Sequence, residues 1–126
     1  MKRLLLLTAL IATPAFAEAP VSFTRDLAPI LKLQCATCHA TGDEGGDIAL
    51  YPKAAYRHLV GVKSPTAGLV RVVPGKPNDS YLIMKLEGTH LAKGGKGVRM
   101  PFGGAPLPAA TIALFRNWIS QGAKNN

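Results

Sequence analysis

The sequence predicts an all-α domain of short helices joined by long irregular loops. Three observations carry that expectation. Apolar residues recur at helical spacing in several separate stretches, glycine and proline punctuate the intervals, and nowhere is there the sustained alternation of a strand pair. The chain has 126 residues, 48% hydrophobic and 17% charged, which fits one small packed domain and argues against disorder and against a multi-domain catalyst. Only 6% are aromatic and there are two cysteines, too few for the disulfide framework that often supports small secreted domains. Something besides protein is therefore expected to help fill the core.

The chain opens with Lys2-Arg3, an apolar stretch from Leu4 to Phe16 and the small-residue ending Ala15-Phe16-Ala17. This is the layout of a secretory signal peptide with cleavage after Ala17, so residues 1–17 are assigned to the signal and 18–126 to the mature domain. The rival reading is an uncleaved anchor, but the stretch falls short of the roughly 20 residues a spanning helix needs, and Pro14 interrupts its end. No cysteine near the cleavage site could take a lipid, and no second long apolar run follows. The product is expected to be periplasmic and soluble, without stable membrane insertion. The chain carries a net charge of +8, and it stays basic once the two positive charges of the signal are gone. Export disfavours nucleic acid as the partner of that charge, leaving an anionic membrane, an acidic protein or no partner at all.

Within the mature domain, Phe23, Leu27, Ile30 and Leu31 predict a helix from Phe23 to Gln34 that runs into Cys35, with Ser22 or Thr24 as its cap and Pro29 tolerated only near the first turn. Ala40 to Gly46 is a loop of small and acidic residues. Pro52 opens a short helix carrying Ala54, Ala55, Tyr56 and Leu59, which stops near Gly61. Gly61 to Pro77 reads as irregular, and Asn78, Asp79 or Ser80 can cap a helix through Leu86 that ends at Gly88. From Gly88 to Pro108 glycine and proline are so dense that one long loop is expected, of the kind that is usually functional or wrapped over something. Pro108 opens a final helix in which Ile112, Leu114, Phe115, Trp118 and Ile119 form one apolar stripe before Gly122. Val70 to Val73 is the only β-branched run and is too short to seed a sheet.

Both cysteines lie in one unit, Cys35-Ala36-Thr37-Cys38-His39, which has the form of a covalent c-type haem attachment signature. Two thiols separated by two residues can reach the two vinyl groups of one porphyrin edge, and the adjacent imidazole then lies under the iron. A thioredoxin-like redox pair would need a βαβ setting that the chain does not show. A zinc site would need a fourth ligand from His58 or His90. A plain Cys35–Cys38 disulfide is possible in the haem-free chain. If His39 holds the iron, the candidates for the sixth position are Met84, Met100, His58 and His90. Met100 is favoured because Arg99-Met100-Pro101 sits in the long loop, far enough from His39 to wrap the opposite face. Met84 lies in a helix where methionine is commonly core filler, and His58 and His90 read by default as surface or loop histidines.

Four further stretches accompany the haem motif: Phe23 to Leu31, Val72 to Leu82, Arg99-Met100-Pro101 and Trp118 to Ala123. With them the chain resembles small single-haem class I cytochromes c of bacteria, and the resemblance covers nearly all of residues 18–126. It implies the class I cytochrome c fold, short helices and long loops wrapped around one covalent haem. It further implies thioether links at Cys35 and Cys38, proximal ligation by His39 and distal ligation by Met100. The first and last helices would cross with Trp118 between them. The function it implies is one-electron transfer in the periplasm, by a carrier rather than an enzyme, free or as a subunit of an oxidoreductase complex. The alternative, from another class, is a haem protein with an open or labile sixth position, acting as a ligand sensor or a small peroxidase-like catalyst.

One departure from the family pattern is that no proline follows closely after His39 to orient its ring; the carbonyl of Pro52 is the stand-in considered. Lys93, Lys96 and Arg99 precede Met100, and Lys63, Arg71, Lys76 and Lys85 fall in segments expected near the haem edge. A positive rim there would steer an acidic redox partner; the alternative is scattered solubilising charge. Gly94-Gly95-Lys96-Gly97 lacks the spacing and context of a phosphate loop, and no local Ser/His/Asp set or acid pair is recognisable.

Overall fold

The first helical run is started by Ser22. Its Oγ accepts the Arg25 N–H at 3.1 Å while the Asp26 carboxylate accepts the Ser22 N–H at 2.8 Å, so two donors that a helix start leaves orphaned are met reciprocally. The computed structural model, which describes residues 18–126, then shows a π-helical turn at Phe23–Leu27 followed by α1 at Ala28–Gln34, where one helix was expected. Pro29 explains the difference. The Ala28 N–H bonds back to Phe23 O, and the spacing tightens where Pro29 has no N–H to give. The signal-peptide assignment to 1–17 lies outside the described residues.

Helix α2 spans Pro52–Leu59 with proline in its first turn and ends at Val60, one residue before Gly61. The segment after it stays irregular, with two isolated bridges, Val60 with Val72 and Lys63 with Val70. A 3-10 turn at Pro77–Asp79 leads into α3, Tyr81–Glu87, which stops at Gly88 with φ +77, a left-handed conformation that glycine adopts freely. Ser80 precedes α3 but does not cap it. Its fully buried hydroxyl accepts from Val73 N–H and donates to Lys76 O, both at 2.9 Å, pinning the preceding loop instead. The long loop from Gly88 contains a 3-10 turn at His90–Lys93, and α4 follows at Ala109–Ser120 directly after Pro108. The described chain is thus helical with no strand, as an all-α domain requires. Among the described residues no helix is long and apolar enough to cross a membrane.

The core forms where the N-terminal run, α2 and α4 meet. Phe23 lies 5.3 Å from both Tyr56 and Trp118 by ring centroid, and Tyr56 lies 6.3 Å from Trp118, mostly edge to face as aromatic quadrupoles prefer. Trp118 is 1% exposed and gives its indole N–H to Lys124 O; the Tyr56 hydroxyl donates to Ala123 O. Leu27, Leu31, Leu59, Phe115 and Ile119 complete the cluster. Asn126 closes it by accepting from Thr24 N–H and Phe23 N–H, and Arg116 joins α4 to α3 through Glu87 at 2.8 Å. Leu27 is fully buried, so Leu27→Ala is expected to cost about 2–5 kcal/mol, read from denaturant unfolding followed by Trp118 fluorescence. A loss below about 1 kcal/mol would show that this part of the core relaxes into the gap.

Candidate functional site

Helix α1 delivers the Cys-x-x-Cys-His unit by ending in it. The Cys35 N–H closes the last turn onto Leu31 O, and the N–H groups of Cys38 and His39 both fold back to Cys35 O, at 3.2 and 3.0 Å. This tight turn groups the two thiols and the imidazole at one helix end. The Leu50 N–H then donates to His39 O at 2.7 Å and fixes the turn to the segment before α2.

Beside the turn is a cavity of about 580 Å³. Cys35, Cys38, His39 and Met100 all line it, with walls of Ile48, Leu50, Leu59, Leu82 and Leu86 and polar groups from Ser64, Arg71, Tyr81 and Lys85. Of the four candidates for a sixth ligand only Met100 reaches this lining. Its N–H is held by Lys85 O at 2.9 Å. Met84 is buried in α3 but does not line the cavity, and His58 spends Nδ1 accepting the Ala49 N–H at 3.2 Å. Of the surface-or-loop reading of His90 the loop stands and the surface does not: it lies in the long loop but is 2% exposed, with Nε2 on Gly97 O at 3.0 Å. It can be buried because Gly95 packs over it; a Cβ there would fall 2.7 Å from His90 O.

Arg71 also departs from expectation. Rather than joining a surface rim it is 5% exposed, with Nη1 donating to His58 O and Nη2 to the carbonyls of Gly46 and Asp47, at 2.7 to 2.9 Å. The guanidinium therefore serves an open carbonyl in the last turn of α2 and ties the acidic loop to it. Burial pushes its pKa down, with Asp47 opposing. Lys85 is likewise half-buried with its ammonium on backbone carbonyls. Lys63, Lys76, Lys93 and Lys96 are exposed, and of these Lys96 lines the cavity.

Burial pushes the Cys35 thiol up to about 11, with Cys38 adding to the rise, so Cys35 stays protonated near neutrality. That is the opposite of the low-pKa thiolate of a thioredoxin-like centre. Among the described residues no group of three or more His, Cys, Asp or Glu is arranged to hold a metal ion, and His58 and His90 each have one ring nitrogen in a hydrogen bond. Burial also pushes the His39 imidazole below its ordinary value; Glu44 opposes the shift, and Lys85 and Arg71 reinforce it. The neutral ring that results keeps a lone pair for coordination. His39 Nδ1 is buried without a hydrogen-bond partner, so the Pro52 carbonyl does not serve it.

Sequence reasoning missed Ser64, Tyr81 and Phe102 as parts of the lining. The Ser80-Tyr81-Leu82 end of the Val72 to Leu82 stretch, on which the resemblance rested, was the one available signal for Tyr81; nothing local marks Ser64. No family model, no curated protein and no solved structure matches this chain.

The Ala40 to Gly46 loop is shaped by Glu44, whose carboxylate accepts the N–H groups of Thr41 and Gly42 and is held at about 2 by them. A carboxyl depressed in the folded state adds stability above its unfolded pKa and loses it as pH falls toward the folded one. The loop's contribution is therefore full above about pH 5 and fades toward pH 2. Glu44→Gln is expected to lower stability at pH 7 and to flatten the acid side of a stability–pH profile measured from pH 6 to 2, so that variant and wild type converge toward pH 2; an unaltered slope would show that the carboxylate is not engaged.

Proposed function

We propose that this protein is an exported one-electron carrier of the class I cytochrome c kind, with one haem c attached through Cys35 and Cys38. The observation that carries the reading is the convergence of Cys35, Cys38, His39 and Met100 on a single, mainly apolar cavity whose size suits a cofactor. The residues fit such a group in their chemistry as well. The thiols are uncommitted, the imidazole is biased to its neutral form, and a thioether stands in the lining.

Cys35 and Cys38 would hold the porphyrin covalently, and His39 and Met100 would ligate its iron. When bound, the haem supplies one iron couple, and His/Met ligation sets its potential high. The leucine and isoleucine walls would shield such a group from water. Arg71 and Ser64 are the buried polar groups of the lining, and the guanidinium retains unspent N–H groups suited to the carboxylates of a porphyrin edge. Phe102, 75% exposed, and exposed Cys38 mark the side of the cavity that meets solvent, and the electron would cross there. With Arg71 and Lys85 turned to internal work, the exposed Lys96 at the cavity, with the exposed Lys63, Lys76 and Lys93, would steer an acidic redox partner. On this reading the residues around the cavity would bind and orient the group. The chain acts as a carrier rather than an enzyme, and the periplasm is its place of work.

Protein matured in a host that makes c-type cytochromes is expected to give a low-spin spectrum with the weak far-red sulfur-to-iron band when oxidised. Met100→Ala should keep covalent haem, lose that band, lower the potential and admit added ligands. An unchanged spectrum and potential would remove Met100 from the iron. Cys35→Ala, Cys38→Ala and His39→Ala should each impair haem assembly, and normal holoprotein from all three would overturn the site.

A further inference from the structure

The loop that carries Met100 is fastened by side chains other than the four residues that would hold the haem. Tyr81 and Lys85 project from α3, one turn apart, and both line the cavity. The Tyr81 hydroxyl accepts the Lys96 N–H at 3.0 Å and lies 3.3 Å from Lys96 O. Lys85 Nζ donates to Lys96 O at 2.8 Å and to Val98 O. From beneath, buried His90 holds Gly97 O through Nε2 at 3.0 Å. Gly95 lets these groups approach: a Cβ there would sit 2.7 Å from both Tyr81 Cε2 and His90 O, and its N–H donates to His90 O. Three consecutive residues, Lys96 to Val98, thus have their carbonyls taken by side chains rather than by secondary structure, immediately before Arg99 and Met100.

A loop without a backbone ladder of its own is held only as firmly as such bonds hold it, and those to a charged donor are the strongest of them. We propose that Tyr81, Lys85 and His90 form a clasp of positioning residues that sets how firmly Met100 is presented to the cavity, and so how readily another ligand displaces it. This rests on the reading of the cavity as a haem site with Met100 in the sixth position. Lys85 is the central member, because its ammonium bridges two carbonyls while its own backbone carbonyl accepts the Met100 N–H at 2.9 Å. One residue thereby grips the loop on both sides of Arg99.

The test uses the holoprotein and reads imidazole affinity of the oxidised form, the far-red sulfur-to-iron band and the urea unfolding midpoint together. Lys85→Met keeps the apolar stem and removes the donors. It should keep covalent haem, raise imidazole affinity about tenfold or more, and weaken the far-red band. Tyr81→Phe, which removes a single hydroxyl, should shift affinity in the same direction by less, and Lys85→Arg, which restores a charged donor, should move it back toward wild type. A lower unfolding midpoint with imidazole affinity and far-red band unchanged in both Lys85→Met and Tyr81→Phe would overturn the clasp. The haem reading is judged separately by wild type and Met100→Ala. Absent haem in the first, or a wild-type spectrum in the second, would remove that reading and the clasp with it. Tight imidazole binding by Met100→Ala beside wild-type affinity in both clasp variants would remove the clasp alone.

Discussion

Helices of seven to twelve residues cannot hold themselves in water, and all four α-helices of this domain fall in that range. Each must be fixed by what its faces and ends touch. On one side of the molecule the solution is apolar: Phe23, Tyr56 and Trp118 bring the N-terminal run, α2 and α4 onto a single aromatic contact, and Asn126 is tied to Phe23. On the other side the solution is polar. Arg71, Ser80, Lys85 and His90 reach into irregular segments and take their backbone carbonyls one by one. Those segments have no ladder partners, so side chains answer the demand that buried carbonyls be paired.

The same division frames the cavity: the guanidinium of Arg71 spans α2 and the 46–47 segment, and Lys85 spans α3 and the 96–98 segment. Three buried polar atoms lack a hydrogen-bond partner among the described residues, namely His39 Nδ1, His90 Nδ1 and Arg99 Nη1. All three belong to the cavity lining or to the loop that carries Met100. An unmet buried polar group costs roughly 1–3 kcal/mol, and such costs concentrate where a structure serves a site rather than its own stability.

Much of this was legible in the order of residues. Apolar spacing located α1, α2 and α4, Gly88 marked the end of α3, and the density of glycine and proline identified the long loop. The grouping of Cys35, Cys38 and His39 followed from their adjacency, and Met100 from its distance along the chain. What sequence could not show was the use of charged side chains. Arg71 and Lys85 read as surface charges because a lone basic residue usually is one, and their acceptors are backbone carbonyls that any sequence supplies. His90 failed for a related reason: its burial depends on Gly95, whose lack of a side chain matters only once the loop is folded over Tyr81. The π-helical turn was missed because a period of five and a period of four cannot be told apart over a single turn, although Pro29 marked where the spacing had to change. Glu44 was one acid among several in a loop until its carboxylate met the two N–H groups beside it.

The two walls that would ligate the iron are built on different principles. His39 stands in a turn that continues α1, its N–H bonded to Cys35 O within the same few residues, and in the proposed reading covalent bonds at Cys35 and Cys38 would lock that turn further. Met100 belongs to a loop whose position rests on reversible hydrogen bonds from elsewhere in the chain. Covalent geometry cannot be tuned by small changes of sequence, but hydrogen bonds from Tyr81, Lys85 and His90 can be strengthened or removed one at a time. The difference between a closed electron carrier and a haem protein with a labile sixth position would then lie on the Met100 side alone. A domain of this architecture could move between the two without disturbing its aromatic core, because the clasp and the core share no hydrogen bond.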